Sequence, residues 1–346
     1  MAKNPTSVIG IDLGRYSLKC VRLQRKGADR VAITHFASQV LSEPATDADK
    51  LAQQLKQLLK EMGGTAKVCA VAVSSPDALI RIIEQPETPV ELLREALRLN
   101  GIALLNQDCK EFVLDCDRIV SQAEAGEAKP KAGPRRYLVG GLPRAQVTEI
   151  GSAFEKNAAA MSVMQLAPIA SFNAFEFARP DIFENHGFFL VDIGHTNSTM
   201  MVGVQRELVL VRNIDFGGSA LTEALIGLTD EPREAVFSAL DHEDEVMVEY
   251  TRVALNALVR EIQSSLGFLE HQRDQRIDRV FVSGGPAKSR TLLKVMSEEL
   301  GLPCESWTAV EKCENGVTGP RRDSLASEAM DLNVACGVAA QLLKAN

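Results

Sequence analysis

The first forty residues alternate between apolar and polar positions in a way that predicts three strands. The stretches are SVIGIDLG from residue 7, SLKCVRLQ from residue 17 and VAITHFASQV from residue 31, with short turns between them. Connections this short indicate an antiparallel meander. Leucines at helical spacing then predict a helix over residues 47–62. The continuous apolar run KVCAVAVS over residues 67–74 is typical of a parallel strand that is buried on both faces.

The same order of elements returns in the second half of the chain. Its pattern predicts strands over residues 187–194, 197–204 and 207–214, a helix from Leu221, a long helix over 248–273 and a buried strand over 279–283. Overlaying the halves puts Asp12 on Asp192, Gly14 on Gly194, Ser17 on Asn197 and Lys19 on Thr199, at an offset of 180 residues. This internal repeat predicts a chain built from two related lobes.

A segment of different character separates the two halves. Residues 86–166 contain a helix, strand-like stretches and the polar, low-complexity run 121–136, which predicts an exposed loop. We therefore predict a first lobe from residues 1–85, 167–187 and 326–346, an inserted subdomain over 86–166, and a second lobe over 188–325.

Composition narrows the classes of function. The chain has 346 residues, of which 45% are hydrophobic and 24% charged, and its net charge is −8 without a basic block, which argues against nucleic acid as a partner. Seven cysteines without a CxxC pair suggest free thiols in a reducing compartment. No signal peptide or membrane span is evident, so we expect a cytoplasmic protein that meets the membrane only through a partner.

Each hairpin carries an aspartate at the end of its first strand and a glycine at its turn. The repeat predicts that the two hairpins face a cleft between the lobes. Glycine would let each turn approach a ligand, and the N–H groups of residues 14–18 and 194–199 would form concave sites for anionic oxygens. Hydroxyl groups and one ammonium group would add donors, from Ser17, Ser198, Thr199 and Lys19.

Two carboxylates facing the same phosphates would repel them unless Mg²⁺ lay between, held largely through water. Asp12 and Asp192 are therefore predicted to face a metal-bound nucleotide phosphate. Taken singly, each aspartate has an ordinary alternative, which is a solvated strand end with turn chemistry. Gly217 and Gly218 could instead form an ordinary turn between a strand and a helix. Gly284, Gly285 and Pro286 could instead be a simple connection without a binding role.

Four motifs in order carry a resemblance to a known superfamily. IDLGRYSLK, VDIGHTNST, DFGGSALTEAL and VFVSGGPAKSRTL resemble the phosphate-1, phosphate-2, interlobe-turn and adenosine motifs of the actin/Hsp70/sugar-kinase superfamily. Within it the chain resembles the PilM-type actin-like ATPase family of type IV pilus assembly. LIRIIEQPETPVELLREALRLNG with KEFVLDCDRI resembles the start of that family's inserted subdomain, and LNVACGVAAQLL its last helix. The resemblance implies a two-lobed α/β fold, the duplicated ribonuclease H-like fold of actin, with a small α+β subdomain in the first lobe.

The resemblance also implies ATP and Mg²⁺ as ligands. The nucleotide-binding residues that it carries over are Asp12, Gly14, Arg15, Tyr16, Ser17, Lys19, Asp192, Gly194, His195, Thr196, Asn197, Ser198, Thr199, Gly217, Gly218, Glu234, Gly284, Gly285 and Pro286. Asp12 and Asp192 would hold Mg²⁺ through water. Related ATPases orient the attacking water from the helix before the second hairpin, where Asn173 is the one candidate, so we expect slow or no hydrolysis.

The implied partner is the short amino-terminal cytoplasmic tail of a PilN-like, single-span membrane protein. It would lie in a groove between the first lobe and the subdomain, with EFVLDCDRIV and RRYLVGG as candidate walls, and would recruit the chain to the inner face of the cell membrane. A homodimer is left open. Two alternatives also stay open: an FtsA-like filament-forming division protein, which would need an amphipathic carboxyl-terminal tail, and a small-molecule kinase, which would need a base aspartate.

Overall fold

The structure is a computed structural model that describes residues 5–27, 30–63, 68–120, 133–240, 244–273 and 277–344. The strands are β1 (Ser7–Leu13), β2 (Ser17–Arg25), β3 (Val31–Val40), β4 (Cys69–Val73), β5 (Leu79–Gln85), β6 (Phe112–Ile119), β7 (Arg135–Pro143), β8 (Met161–Leu166), β9 (Gly187–Ile193), β10 (Ser198–Val204), β11 (Glu207–Ile214), β12 (Val280–Ser283), β13 (Cys304–Ser306) and β14 (Glu314–Asn315). The helices are α1 (Ala48–Met62), α2 (Val90–Leu105), α3 (Arg144–Lys156), α4 (Ala167–Ala178), α5 (Pro180–Asn185), α6 (Gly218–Thr229), α7 (Arg233–Leu240), α8 (Glu245–Arg273), α9 (Arg290–Leu300), α10 (Leu325–Glu328) and α11 (Asn333–Lys344).

Contacts divide the chain into two units. The first unit comprises Met1–Ala178, Ala309–Ser327 and Leu332–Asn346, and the second comprises Arg179–Thr308 and Glu328–Asp331. Residues 309–325, which the sequence assigned to the second lobe, group with the first unit because β14 pairs with β3 and the 3₁₀ turn at Ala309–Lys312 packs on α4 and α11.

The first unit is organised around a sheet with the strand order β14-β3-β2-β1-β4-β8. The predicted meander β1-β2-β3 is antiparallel, and β4 joins β1 in parallel. β8 extends the same sheet beside β4, although the sequence had placed residues 161–166 in the inserted subdomain. α11 packs against β1 and α4, where Gly10 and Gly337 allow close contact.

The second unit repeats this arrangement with the strand order β11-β10-β9-β12-β13. Its meander β9-β10-β11 is antiparallel, and β12 joins β9 in parallel as β4 joins β1. Apolar side chains of this sheet form one core with those of α6, α8 and α9. The duplicated α/β architecture that the sequence predicted is therefore confirmed.

The inserted part of the first unit carries a separate antiparallel sheet with the order β5-β7-β6. It starts at Leu79, before the predicted boundary at residue 86, because β5 pairs with β7. α2 packs on this sheet through Leu93 and Leu97, which share a core with Tyr137 and Val139. Residues 121–132 of the predicted loop lie outside the described residues.

Within the described ranges, no helix combines the length and the apolar character that crossing a membrane requires.

Candidate functional site

In the first unit, the hairpin β1-β2 pairs a carboxylate with an ammonium group. The antiparallel register puts Asp12 opposite Lys19, and Lys19 Nζ lies 3.4 Å from Asp12 Oδ2. Asp12 is buried, as is Ser17, whereas Arg15 and Tyr16 at the turn are exposed. The first predicted aspartate thus lies beside a cation that the strand pairing itself supplies.

The turn glycines of both hairpins are required by the turns themselves. A Cβ on Gly14 would lie 2.6 Å from Ser17 O, and one on Gly194 would lie 2.7 Å from Asn197 O. Neither glycine has a positive φ, and Gly194 N donates to Asn197 O at 3.1 Å. Approach to a ligand is the reason that the sequence pattern suggests for glycine at these two turns. The structure provides a sufficient local reason, which is contact across a tight turn.

In the second unit, three glycine-containing segments that are distant in sequence come together. Gly218 N donates to Gly194 O at 2.8 Å, which joins the β9-β10 turn to the start of α6. A Cβ on Gly218 would lie 3.1 Å from Pro286 Cγ, and one on Gly284 would lie 2.1 Å from Ile193 O. We call Gly194, Gly217, Gly218, Gly284 and Gly285 the glycine cluster. The second hairpin, the turn after β11 and the turn after β12 therefore form one local structure.

Asp192 lies at the edge of the glycine cluster and accepts a hydrogen bond from a neighbouring strand. β9 and β12 are parallel, with Ser283 beside Asp192, and Ser283 Oγ donates to Asp192 Oδ1 at 2.7 Å. Thr199 is the neighbour of Asp192 on the other side, in β10. Sequence reasoning missed Ser283. It could have been found from its position, because Ser283 is a polar residue at the end of a buried apolar strand and directly precedes two glycines.

The hydroxyl groups of the second hairpin have separate partners. Ser198 is fully buried, and its Oγ donates to Phe216 O at 2.6 Å, which fixes the backbone just before Gly217. Thr199 Oγ1 donates to Asn213 Oδ1 at 3.2 Å, and Thr196 Oγ1 donates to the side chain of Asn197. Ser198 therefore holds the glycine cluster together from the buried face of the sheet.

His195 and Glu234 differ in their surroundings. Burial, followed by the positive charge of Arg233, lowers the pKa of His195 below its usual value, so the imidazole is neutral at pH 7. Glu234 is exposed in the first turn of α7. A neutral His195 adds no positive charge beside the turn.

Asn173 lies on α4 in the first unit, and its side chain is engaged by the last helix. Asn173 Nδ2 donates to Gln341 Oε1 at 2.6 Å, and Gln165 Nε2 donates to the same oxygen. The amide nitrogen of the candidate water-orienting residue is thus committed to α11.

The donor set fits a hydrated Mg²⁺ better than an ion enclosed by protein. Among the described residues there is no group of three or more His, Cys, Asp or Glu side chains that could hold a metal. Mg²⁺ usually keeps several waters and binds one or two carboxylates together with substrate phosphates. A single carboxylate in each hairpin, Asp12 or Asp192, suits an ion that arrives with a phosphate ligand.

Comparison with solved structures defines the class of protein. The match to EutJ, an ethanolamine utilization protein from Carboxydothermus hydrogenoformans, covers 97% of this chain and 90% of the EutJ chain, at 14% identity and a TM-score of 0.52. The match to a diol dehydratase-reactivating factor in its nucleotide-free form covers 99% of this chain and 100% of that protein's chain, at 8% identity and a TM-score of 0.56. The fold is that of the actin-like ATPase-fold proteins, as predicted.

Two further comparisons narrow the class to a family. A structure of a PilM-PilN type IV pilus biogenesis complex matches 99% of this chain and 100% of its own, at 21% identity and a TM-score of 0.79. The family model of the type IV pilus assembly protein PilM matches residues 10–342. The chain belongs to the PilM family, which confirms the resemblance found in its sequence.

Proposed function

We propose that this chain is an ATP-binding cytoplasmic adaptor of type IV pilus assembly that binds the amino-terminal tail of a PilN-like membrane protein. The observation that carries the nucleotide part is the glycine cluster beside Asp192. It joins the segments that resemble the phosphate-2, interlobe-turn and adenosine motifs within one unit. Family membership supports the pilus part.

The nucleotide would contact backbone groups of the glycine cluster and would interact with the charged side chains of the two hairpins. Asp192 and Asp12 would hold Mg²⁺ through water, and the ion would neutralise the phosphates when bound. Lys19 is positioned by Asp12 and would contribute a point charge to the phosphate-binding element of the first unit. Hydrolysis would be slow, because Asn173, the candidate for orienting the attacking water, is a weaker choice than Glu or Gln, and one N–H of its amide group donates to Gln341.

Removing the carboxylate of Asp192 is expected to weaken Mg²⁺-ATP binding at least tenfold, because water molecules bound to the metal would lose a charged hydrogen-bond acceptor. Asp12→Ala should act in the same direction, and chelation of Mg²⁺ should weaken wild-type binding similarly. Titration calorimetry measures all three. Asp181→Ala, which removes an exposed carboxylate of the second unit, is the matched control and should bind like the wild type.

Absence of wild-type binding at millimolar nucleotide would contradict ATP binding. Equal affinity of the wild type and both aspartate variants would contradict the site while leaving nucleotide binding intact. In the same preparations, steady phosphate release above about one per second, the low end of ordinary enzyme turnover, would contradict the adaptor role.

The tail of the partner is proposed to add as a strand to the subdomain sheet. β7 is its central strand, so RRYLVGG, one of the two predicted walls, has neighbours on both sides, and the outer strands are β5 and β6. On β6, side chains engage three backbone groups: Asp115 and Asp117 accept from the N–H groups of Cys116 and Arg118, and Arg94 donates to Cys116 O. Such contacts protect an edge from strand addition.

β5 is the proposed acceptor of the tail. Among the described residues, β5 has one hydrogen bond of a side chain to a backbone group of the strand, which Arg81 Nη1 donates to Ile80 O. Strand addition would supply main-chain hydrogen bonds, and the half-buried Ile82 and Ile83 would offer apolar contacts. The PilM-PilN complex, which is similar in fold, supports a PilN-like partner.

A charged residue on β5 is expected to weaken peptide binding more than a charged residue on β6. The ligand is a synthetic peptide that copies the amino-terminal tail of the PilN-like protein of the same genome. We expect Ile82→Glu to reduce its affinity about tenfold, measured by fluorescence anisotropy, and the matched variant Val113→Glu to change it little. A larger loss of affinity in Val113→Glu than in Ile82→Glu would place the binding site on β6. If the wild type binds no peptide, with or without ATP, the adaptor role is contradicted.

A further inference from the structure

The two repeated aspartates are held by different kinds of donor. In the first unit, Asp12 faces Lys19 across the antiparallel pair, and its parallel neighbour in β4 is Ala72. In the second unit the neighbours are Thr199 and Ser283. The hairpin strand thus supplies the donor to Asp12, whereas the hydroxyl bound to Asp192 comes from β12.

The donor to Asp192 is a desolvated side chain. Ser283 is 1% exposed, and its hydroxyl lies 2.7 Å from Asp192 Oδ1. Hydrogen bonds from a buried donor to a charged acceptor are stronger than those between neutral groups. Because a carboxylate is planar, fixing Oδ1 also limits the directions in which Oδ2 can point.

The backbone around Ser283 leaves it little freedom. Gly284 follows with φ +88°, and the space where a Cβ would lie is filled by Ile193 O. The end of β12 is therefore locked against the end of β9, next to Asp192. A donor carried on a strand is positioned more reproducibly than one carried on a loop.

We propose that Ser283 is a positioning residue that sets the orientation of the Asp192 carboxylate toward the Mg²⁺ of the bound nucleotide. This inference rests on the proposed nucleotide function and assigns a role to a residue of the adenosine-like motif through its hydrogen bond to Asp192. It requires that the effect of Ser283 on ligand binding pass through Asp192 and depend on Mg²⁺.

The test is a double-mutant cycle read by titration calorimetry. Ser283→Ala should weaken Mg²⁺-ATP binding about tenfold and raise the Mg²⁺ concentration at half-saturation, while leaving ATP binding in excess chelator unchanged. In an Asp192→Asn background, Ser283→Ala should cause no further loss, because residues that act through one another are not additive. Ser283→Thr keeps the hydroxyl and should restore most of the affinity.

The matched control is Ser297→Ala. Ser297 Oγ donates to Leu293 O and accepts from Cys304 N, so its loss removes two partly buried hydrogen bonds of the same unit away from Asp192. It should lower thermal stability without changing the Mg²⁺ dependence. The inference would be overturned if ATP binding by Ser283→Ala had the same Mg²⁺ dependence as that of the wild type. It would also be overturned if the variant lost the same ATP affinity with and without Mg²⁺. In both cases the nucleotide function would stand. A wild-type chain that binds no nucleotide would overturn both.

Discussion

Replacement of Gly337 by valine is expected to be strongly disruptive to the first unit. Gly337 is buried in α11, where a Cβ would lie 1.9 Å from Ala170 O and 2.9 Å from Ala174 Cβ. The clashing atoms belong to the backbone and first side-chain carbon of α4, so they cannot rotate away. Overpacking of this kind costs about 3 kcal/mol or more, which lowers the melting temperature of a unit of this size by roughly 6–12 °C.

The matched control for Gly337 is Gly151→Ala in α3. Gly151 is also helical, but nothing lies within 4 Å of the position where its Cβ would be. Alanine there should raise stability by about 0.5–1 kcal/mol, because glycine is a poor helix former. The measurement is thermal unfolding followed by circular dichroism. Equal stability of Gly337→Val and the wild type would mean that α11 does not pack against α4 as described.

Replacement of Gly284 by alanine is expected to disrupt the second unit and abolish nucleotide binding. Its φ of +88° is unfavourable for any residue with a Cβ, and the added atom would lie 2.1 Å from Ile193 O. The combination of this φ with a ψ of 172° is a backbone conformation that essentially only glycine adopts, at a cost to other residues of about 1–3 kcal/mol, and separating β12 from β9 costs about 1–3 kcal/mol more. Because Ile193 follows Asp192, the same movement would displace the proposed site.

Gly301→Ala is the control for a glycine of the same unit that has a positive φ but no clash at its Cβ position. Gly301 ends α9 with φ +64°, and nothing lies within 4 Å of its Cβ position. Gly301 has the left-handed conformation, so alanine there should cost about 1–2 kcal/mol and leave nucleotide affinity unchanged. Unfolding and calorimetric titration of both variants test this. If Gly284→Ala and Gly301→Ala lose the same stability and both bind Mg²⁺-ATP, the contact between the turn after β12 and β9 has no importance for the site.

The repeat shows how one architecture can hold two equivalent carboxylates in unequal surroundings. Asp12 and Asp192 occupy matching positions in β1 and β9, and both hairpins have matching glycines at the turn. Their second neighbours are Ala72 and Ser283, which lie on the parallel strand of each sheet. The two carboxylates therefore differ in both neighbours, because Lys19 and Ala72 flank Asp12 whereas Thr199 and Ser283 flank Asp192.

The sequence by itself determined the elements and contacts that depend on short segments of chain. The meanders β1-β2-β3 and β9-β10-β11 follow from alternating strands and short turns, because turn length sets which antiparallel residues face each other. The sequence pattern indicated Lys19 only as a donor to the ligand, and its pairing with Asp12 was found in the structure. The repeat and the order of the motifs identified the fold and the family without any coordinates.

Tertiary structure alone decided which strands lie side by side when many residues separate them. A parallel pair needs a long crossover, so its register depends on the packing of the intervening helices and not on a local turn. That is why the pairing of β8 with β4, the convergence of the glycine cluster and the hydrogen bond from Ser283 to Asp192 did not emerge from the sequence. The contact of Asn173 with Gln341 has the same origin, because it joins residues of two helices that only the packed first unit brings together.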